Sequence, residues 1–211
     1  MFFLNSASAR APRMGVERAW KRLTSGGGGL YQGRVIIVSA LRHIERLVAE
    51  RTFTRSLSLL APWQTVIFDD GILPRDRLIL AFNDITAPQP GCVVPDEALV
   101  GAIVDFGRAC RADDHVLAHC WMGVSRSPAA AYIIACARAP GEEKAIADAL
   151  RRRAPTATPN RLLVSLADEL LARGGKMVDA IDAIGRGCEF DGDAPPFALP
   201  LDWSADADEM I

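Results

Sequence analysis

A cysteine and an arginine separated by five residues are the pair in this sequence best suited to covalent chemistry. Cys120 and Arg126 enclose Trp121, Met122, Gly123, Val124 and Ser125. A cysteine thiolate is a strong nucleophile, and the planar guanidinium of arginine can hold two oxygens of one phosphate. The pair therefore indicates nucleophilic attack on a bound phosphate, with Cys120 as the nucleophile and Arg126 as a phosphate ligand.

The residues on either side of this pair predict a strand, a tight loop and a helix. The apolar run over 114–118 is typical of a buried strand, and the run over 129–138, rich in alanine and isoleucine, is typical of a buried helix. Ser127 is a suitable helix N-cap, and Pro128 suits the first helical turn. We therefore predict that the helix begins directly after the loop.

A loop that enters a helix in this way is suited to binding an anion. Amide groups at the helix N-terminus and the positive end of the helix dipole attract negative charge, and Gly123 allows the loop to bend. The same field favours the thiolate form of Cys120. The predicted phosphate-binding residues are Trp121, Met122, Gly123, Val124, Ser125 and Arg126.

With its flanking residues, the loop resembles the signature loop of the cysteine-dependent protein tyrosine and dual-specificity phosphatases, its sequence being HCWMGVSRS over 119–127. The pattern is most like that of small bacterial tyrosine phosphatase-like proteins. The resemblance implies hydrolysis of phosphomonoesters through a phosphocysteine intermediate, without a metal or another cofactor. Phosphotyrosine in proteins is the expected substrate, with phosphoserine and phosphothreonine as further candidates. The resemblance also implies that His119 holds the loop by hydrogen bonds. Ser127 either caps the helix or donates a hydrogen bond to the Cys120 sulfur, and the sequence leaves both roles open.

Such a mechanism requires a proton donor for the leaving oxygen and later a base for water. The resemblance implies an aspartate on a loop before the cysteine, and Asp84 follows a predicted strand over 78–82. Because the carboxyl ends of parallel strands meet at one edge of a sheet, Asp84 is expected beside the signature loop. A turn better explains Asp69 and Asp70, and Asp96 is expected to cap a helix.

A second, weaker resemblance to dual-specificity phosphatases lies further along the chain. Three arginines over 151–153 are followed by Pro159 and Asn160, which start an apolar helix. Leu166 stands where many members of the family have a glutamine, and this departure puts the rate of the second step in doubt. The arginines predict a solvated helix end, with contact to phosphate-rich substrates as the alternative.

Hydrophobic periodicity predicts an α/β fold with a mainly parallel sheet of four to five strands flanked by helices. Strands are predicted over 35–38, 57–60 and 78–82 in addition to the strand before Cys120. The part that follows the signature loop is predicted to be helical, with helices over 142–153, 160–173 and 177–184.

The predicted catalytic domain spans 34–188. Residues 1–33 are expected to be a flexible extension that ends near a run of glycines, and 189–211 an acidic, solvated tail anchored by Phe197 or Trp203. A net charge of −2 gives no basic surface for nucleic acid or an anionic membrane, and no apolar stretch reaches the length of a membrane span. The five cysteines lack a Cys-x-x-Cys pair, which favours a reducing cytoplasm and excludes the usual zinc and disulfide patterns.

Two alternative functions remain open at this stage, as does the oligomeric state. A catalytically weak pseudophosphatase would bind phosphorylated partners through the same loop. A phosphatase of small molecules or inositol phosphates would use the same chemistry on a smaller phosphomonoester. The variable loop positions Trp121, Met122 and Val124 include no lysine for a multiply charged substrate, which favours a singly phosphorylated one.

Overall fold

A single sheet places Cys120 at the end of its middle strand. The computed structural model describes residues 35–64, 73–189, 192 and 194–203. Its strands are β1 Val35–Ala40, β2 Arg55–Leu60, β3 Asp76–Ala81, β4 Val116–Cys120 and β5 Phe197–Pro200. Their order in the sheet is β3-β2-β4-β1-β5; the first four are parallel, and β5 is antiparallel to β1. The prediction of a mainly parallel sheet of four to five strands is confirmed.

Helices follow in the predicted order, with ends that differ by a few residues. They are α1 Ile44–Glu50, α2 Glu97–Arg108, α3 Arg126–Arg138, α4 Glu143–Arg153, α5 Arg161–Leu170 and α6 Lys176–Ile184. Helix α5 stops before residue 173 because Ala172 and Gly174 adopt left-handed backbone conformations, with φ of 53° and 64°. Asp96 caps α2 by accepting a hydrogen bond from the amide of Leu99, as predicted. No helix in the described ranges is long and apolar enough to cross a membrane.

Strand β1 is buried along its length because it is covered on both faces. Side chains alternate across a strand, so Ile36 and Val38 enter the larger core, which contains most of α3. Val35 and Ile37 enter a smaller core on the other face, where they lie with residues of α1. Strand β3 is different: it is exposed or half-buried along its whole length, because only β2 lies beside it at this edge of the sheet.

The stretch over 194–203 differs from the predicted solvated tail. Residues 197–200 form β5, which pairs with β1, and Phe197 and Trp203 are both buried. Asp202 also accepts a hydrogen bond of 2.8 Å from Nε of Arg138. The predicted anchor residues are therefore buried, but the prediction of a solvated tail is wrong here, because an apolar run among acidic residues supplies a strand. The predicted N-terminal extension over 1–33, the turn at Asp69–Asp70 and residues 204–211 lie outside the described residues.

Replacing Leu199 by alanine tests the contribution of β5 to the core. Leu199 is fully buried and pairs with Ile36, so we expect Leu199→Ala to lower the free energy of unfolding by about 2–4 kcal/mol. Leu170, which is 38% exposed, gives the matched control, and Leu170→Ala should cost about 1 kcal/mol or less. Urea denaturation measures both. Equal, small losses would show that β5 does not belong to the core.

Candidate active site

The strand, loop and helix predicted around Cys120 are all present. Strand β4 lies between β1 and β2, and Cys120 is aligned with Ala40 on one side and Leu59 on the other. The chain leaves the sheet at this point, forms a loop over 121–125 and enters α3 at Arg126. Because the strands are parallel, the loops that follow β2 and β3 emerge at the same edge of the sheet.

Two hydrogen bonds converge on the Cys120 sulfur. The amide of Gly123 donates to Sγ at 3.2 Å, and the hydroxyl of Ser127 donates at 3.1 Å. Donors directed at sulfur stabilise a negative charge there. The N-cap of α3 is Ser125, which makes no side-chain capping bond, so the prediction of Ser127 as N-cap is wrong. Ser127 is the second residue of α3, and at this position its hydroxyl donates to the sulfur.

Glycine is required at position 123 by the backbone and by close packing. Its φ of +71° lies in the left-handed region that side chains disfavour. A Cβ at this position would lie 2.7 Å from the nitrogen of Ala40 and 2.9 Å from the carbonyl carbon of Ser39. Both are backbone atoms of β1, which cannot move aside without distorting the sheet. The bend of the loop therefore depends on the absence of a side chain here.

The rest of the loop keeps donors available for an anion. Within the part of the chain that the structure describes, the amides of Met122, Val124 and Ser125 donate to no protein acceptor. They precede the N-terminus of α3, where the helix dipole adds positive potential. The side chain of Trp121 is 42% exposed at the start of the loop. This arrangement suits a phosphate, whose oxygens accept several hydrogen bonds.

Arg126 is buried and held in place by the loops that follow β2 and β3. Its Nη1 donates to the carbonyl of Phe82 and its Nη2 to Oε1 of Gln64, each at 3.1 Å. Gln64 Oε1 also accepts from the amide of Ala61 at 2.8 Å, which fixes its orientation. Nε is buried and has no hydrogen-bond acceptor among the described residues. The guanidinium is thus positioned while one donor is left for a ligand.

Asp84 lies beside the signature loop, where its place after a parallel strand predicted it. The hydroxyl of Ser125 and Nδ2 of Asn160 donate to its Oδ1 at 2.7 and 2.8 Å. Its other oxygen, Oδ2, is 3.8 Å from Nε of Arg126. The side chain is 36% exposed, and both of these hydrogen bonds are made to Oδ1.

His119 is fully buried next to the nucleophile and hydrogen-bonded to the neighbouring strand. Its Nε2 lies 2.6 Å from the hydroxyl of Ser58, with which it is aligned on β2. Burial, and then the nearby charge of Arg126, lower the pKa of His119 to about 4. The imidazole is therefore neutral near pH 7 and holds the end of β4 through hydrogen bonding.

Among the described residues, no group of three or more histidine, cysteine or acidic side chains could hold a metal ion.

Comparison with known proteins identifies the fold. No family model matches the chain, and no curated protein matches it. Among solved structures, Tk-PTP in its active form is 18% identical with a TM-score of 0.50, the match covering 70% of this chain and 99% of that one. DUSP15 is 16% identical with a TM-score of 0.50, over 74% and 94%. The Yvh1 phosphatase domain from Chaetomium thermophilum is 20% identical with a TM-score of 0.49, over 69% and 98%.

This chain has the tyrosine-phosphatase fold. The expectation raised by the HCWMGVSRS loop is confirmed for the fold by the similarity to Tk-PTP and DUSP15. The roles of the individual site residues stay predictions.

Two residues that hold this site together were missed by the sequence analysis as functional residues. Gln64 positions Arg126, but a single amide carries no motif; its only signal is its place after the strand β2. Asn160 was noted only as a helix start. It caps α5 through Oδ1, donates to Asp84 and to the carbonyl of Ile85, and its amide donates to the carbonyl of Ser125. Asn160 therefore connects the Asp84 loop, the signature loop and α5.

The first residue of the arginine run over 151–153 stabilises the fold through hydrogen bonds. The guanidinium of Arg151 donates to five backbone carbonyls, those of Ala154, Pro155, Ala157, Ile184 and Gly185. The prediction of a solvated helix end, and its alternative of substrate contact, are both wrong for this residue, because its donors are taken up by backbone carbonyls after α4 and at the end of α6. The segment that Arg151 holds contacts the signature loop through the amide of Thr158, which donates to the carbonyl of Val124.

A methyl group at position 123 should disrupt the loop. We expect Gly123→Ala to lower the free energy of unfolding by at least about 1–2 kcal/mol, the cost of a left-handed alanine, and to abolish binding of tungstate. Gly101 in α2 supplies the control, because a Cβ added there would meet no atom within 4 Å. Gly101→Ala should stabilise the protein by about 0.5–1 kcal/mol because alanine is the better helix former. Unchanged tungstate binding by Gly123→Ala would contradict the account of the loop.

The neutral state of His119 predicts how stability depends on pH. Its pKa is about 4 in the folded protein against 6.5 ordinarily, so between these values the unfolded chain binds the proton more readily. The part of the free energy of unfolding that depends on neutral His119 is complete above about pH 6.5 and is lost as the pH falls toward 4. It amounts to about 3 kcal/mol in all. We expect a shallower fall in the free energy of unfolding for His119→Asn than for the wild type over this range, measured by urea denaturation. Parallel curves would show that the pKa of His119 is not lowered in the folded protein.

Proposed function

We propose that this chain hydrolyses phosphomonoesters through a phosphocysteine intermediate. The observation that carries the proposal is the pair of hydrogen bonds from Gly123 and Ser127 to the Cys120 sulfur, inside the loop that ends at Arg126. A buried sulfur with two donors, next to unsatisfied amide and guanidinium donors, combines a nucleophile with an anion site. The fold, shared with Tk-PTP and DUSP15, supports this proposal.

In the first step, the loop amides and Nε of Arg126 hold the phosphate oxygens while Sγ of Cys120 attacks phosphorus. A P–S bond forms as the P–O bond to the leaving group breaks, and the leaving oxygen takes a proton from Asp84. Oδ2 is the oxygen assigned to this transfer because Ser125 and Asn160 occupy Oδ1. Charge develops where donors already lie, so their preorganisation supplies the largest part of the rate enhancement.

The second step cleaves the phosphocysteine with water. Asp84 accepts a proton from the water molecule, the oxygen attacks phosphorus, and the P–S bond breaks to release inorganic phosphate. Sulfur leaves as a thiolate, which the hydroxyl of Ser127 and the amide of Gly123 stabilise. Both donors therefore act in each step, whereas Asp84 reverses its role from acid to base.

The substrate class proposed is a phosphorylated protein, with phosphotyrosine first and phosphoserine and phosphothreonine as further substrates. A small phosphomonoester is the alternative that uses the same groups. We assign the activity to the cytoplasm, because all five cysteines are free thiols and Cys120 must stay reduced to act.

One observation favours a second candidate, a pseudophosphatase that binds phosphorylated partners with little turnover. Leu166 stands where many dual-specificity phosphatases have a glutamine, and its side chain packs against the core. No amide at this position can orient the water of the second step. This feature predicts slow hydrolysis of the phosphocysteine, without affecting phosphate binding.

Hydrolysis of para-nitrophenyl phosphate at about pH 6, with reductant and chelator, tests the mechanism. We expect no turnover for Cys120→Ser, and a fall in kcat of about a hundredfold or more for Asp84→Asn, the range for loss of a general acid. Asp148, an exposed carboxylate paired with Lys144 on α4, supplies the matched control, and Asp148→Asn should retain full activity.

Two outcomes would change the conclusion. Activity that survives Cys120→Ser would contradict the phosphocysteine mechanism. A folded wild-type protein that binds tungstate but does not hydrolyse the substrate would favour the pseudophosphatase.

A further inference from the structure

The segment over 154–160, which connects α4 to α5, contacts the signature loop through its backbone. The amide of Thr158 donates to the carbonyl of Val124 at 2.8 Å, and the amide of Asn160 donates to the carbonyl of Ser125 at 3.3 Å. The sequence carries no motif for either bond, because both are made by main-chain groups. Residues 154–160 are called the bracing segment below.

The two bonds determine which way the amides of the loop point. A peptide group is planar and trans, so its carbonyl and its amide hydrogen point in opposite directions. Because the carbonyl of Val124 points to the bracing segment, the amide of Ser125, in the same peptide group, points away from it. That amide donates to no protein acceptor among the described residues. The carbonyl of Ser125 and the amide of Arg126 are related in the same way.

The bracing segment is itself held by Arg151, in the last turn of α4. The guanidinium donates to three carbonyls within the segment and to two at the end of α6, those of Ile184 and Gly185. Because a guanidinium is rigid and planar, these bonds fix the carbonyls relative to one another. Arg151 therefore ties the bracing segment to two helices.

The chain after α6 also packs against the bracing segment, so closely that only glycine fits at position 187. The amide of Gly187 donates to the hydroxyl of Thr158 at 3.0 Å. A Cβ on Gly187 would collide with the carbonyl group of Thr156 and lie 2.7 Å from the carbonyl oxygen of Ala157. These are backbone atoms, so a side chain at position 187 would displace the bracing segment.

We propose that Arg151 is a positioning residue for the phosphate. By holding the bracing segment, it keeps the amides of Ser125 and Arg126 directed at the bound anion. Its own donors are taken up by backbone carbonyls, so it acts through Thr158 and Asn160 and does not touch the anion. The inference rests on the proposed function, because it takes the loop amides as ligands of the phosphate.

Binding of tungstate, a tetrahedral anion that stands in for phosphate, tests the role of Arg151. We expect Arg151→Met to weaken binding to the full chain by about tenfold in calorimetry, less than the hundredfold or more that removal of a direct donor costs. Arg152→Met supplies the matched control, because Arg152 is the exposed neighbour on the same helix, and it should bind as the wild type does. A folded Arg151→Met variant with wild-type affinity would overturn the proposal.

Two further variants disturb the bracing segment without changing Arg151. Gly187→Ala places a methyl group against Thr156 and should weaken tungstate binding to a similar extent, whereas Gly101→Ala, which meets no atom within 4 Å, should not. Thr158→Val keeps the shape of the side chain but removes the acceptor of the Gly187 amide. We expect this mild change to weaken binding by about threefold, the effect of one hydrogen bond. Wild-type affinity in both would also overturn the proposal.

Alkylation of Cys120 separates loss of positioning from a general loss of the fold. The donors to its sulfur are the Gly123 amide and the Ser127 hydroxyl, which belong to the loop and to α3. We therefore expect the rate of alkylation by uncharged iodoacetamide, followed on the Cys120 peptide by mass spectrometry, to change by less than about twofold in Arg151→Met. Loss of alkylation in proportion to the loss of tungstate binding would overturn the proposal.

The binding measurements require no turnover, so they distinguish this inference from the proposed function. If the wild type binds tungstate without hydrolysing para-nitrophenyl phosphate, and Arg151→Met still weakens binding, the positioning role stands and the hydrolase does not. If the wild type is active and Arg151→Met retains its KM and its tungstate affinity, the positioning role is overturned and the hydrolase stands.

Discussion

The convergence of two hydrogen-bond donors on the Cys120 sulfur is the feature on which the rest of the site depends. These donors, the Gly123 amide and the Ser127 hydroxyl, belong to one continuous segment. The first requires a left-handed glycine packed against β1, and the second requires α3 to begin at Arg126. The need for two donors directed at the Cys120 sulfur therefore determines where β4 ends, how the loop bends and where α3 begins.

Around the Cys120 loop, polar groups from neighbouring segments bind the charged side chains of Arg126 and Asp84 in place of water. Gln64 after β2 and the carbonyl of Phe82 after β3 hold Arg126, while Asn160 at the start of α5 holds Asp84. Gln64 and Asn160 are fixed in turn by further hydrogen bonds to the backbone. These donors would already be in place for the phosphate that we propose binds at the loop, so its binding would require little reorganisation.

Sequence alone could predict the parts of the site that have a motif or a topological rule. The spacing of Cys120 and Arg126 indicated the loop, and the convergence of parallel strands placed Asp84 beside it. Gln64 could not be predicted, because an amide acceptor for a guanidinium has no characteristic spacing. Strand β5 was not predicted, because acidic residues surround its short apolar sequence. Its place in the sheet is evident only from its pairing with β1. The role of Ser127 could not be predicted without knowing which residue begins α3, because serine suits both an N-cap position and donation to a sulfur.

Detection of the covalent intermediate is the most direct test of the proposed phosphocysteine mechanism. The wild-type chain would be mixed with a phosphotyrosine peptide, quenched in acid within the first turnover and digested for mass spectrometry. We expect one phosphoryl group on the peptide that contains Cys120, and none in the Cys120→Ser variant. Release of phosphate with no adduct at Cys120, or with an adduct on another residue, would contradict the phosphocysteine mechanism.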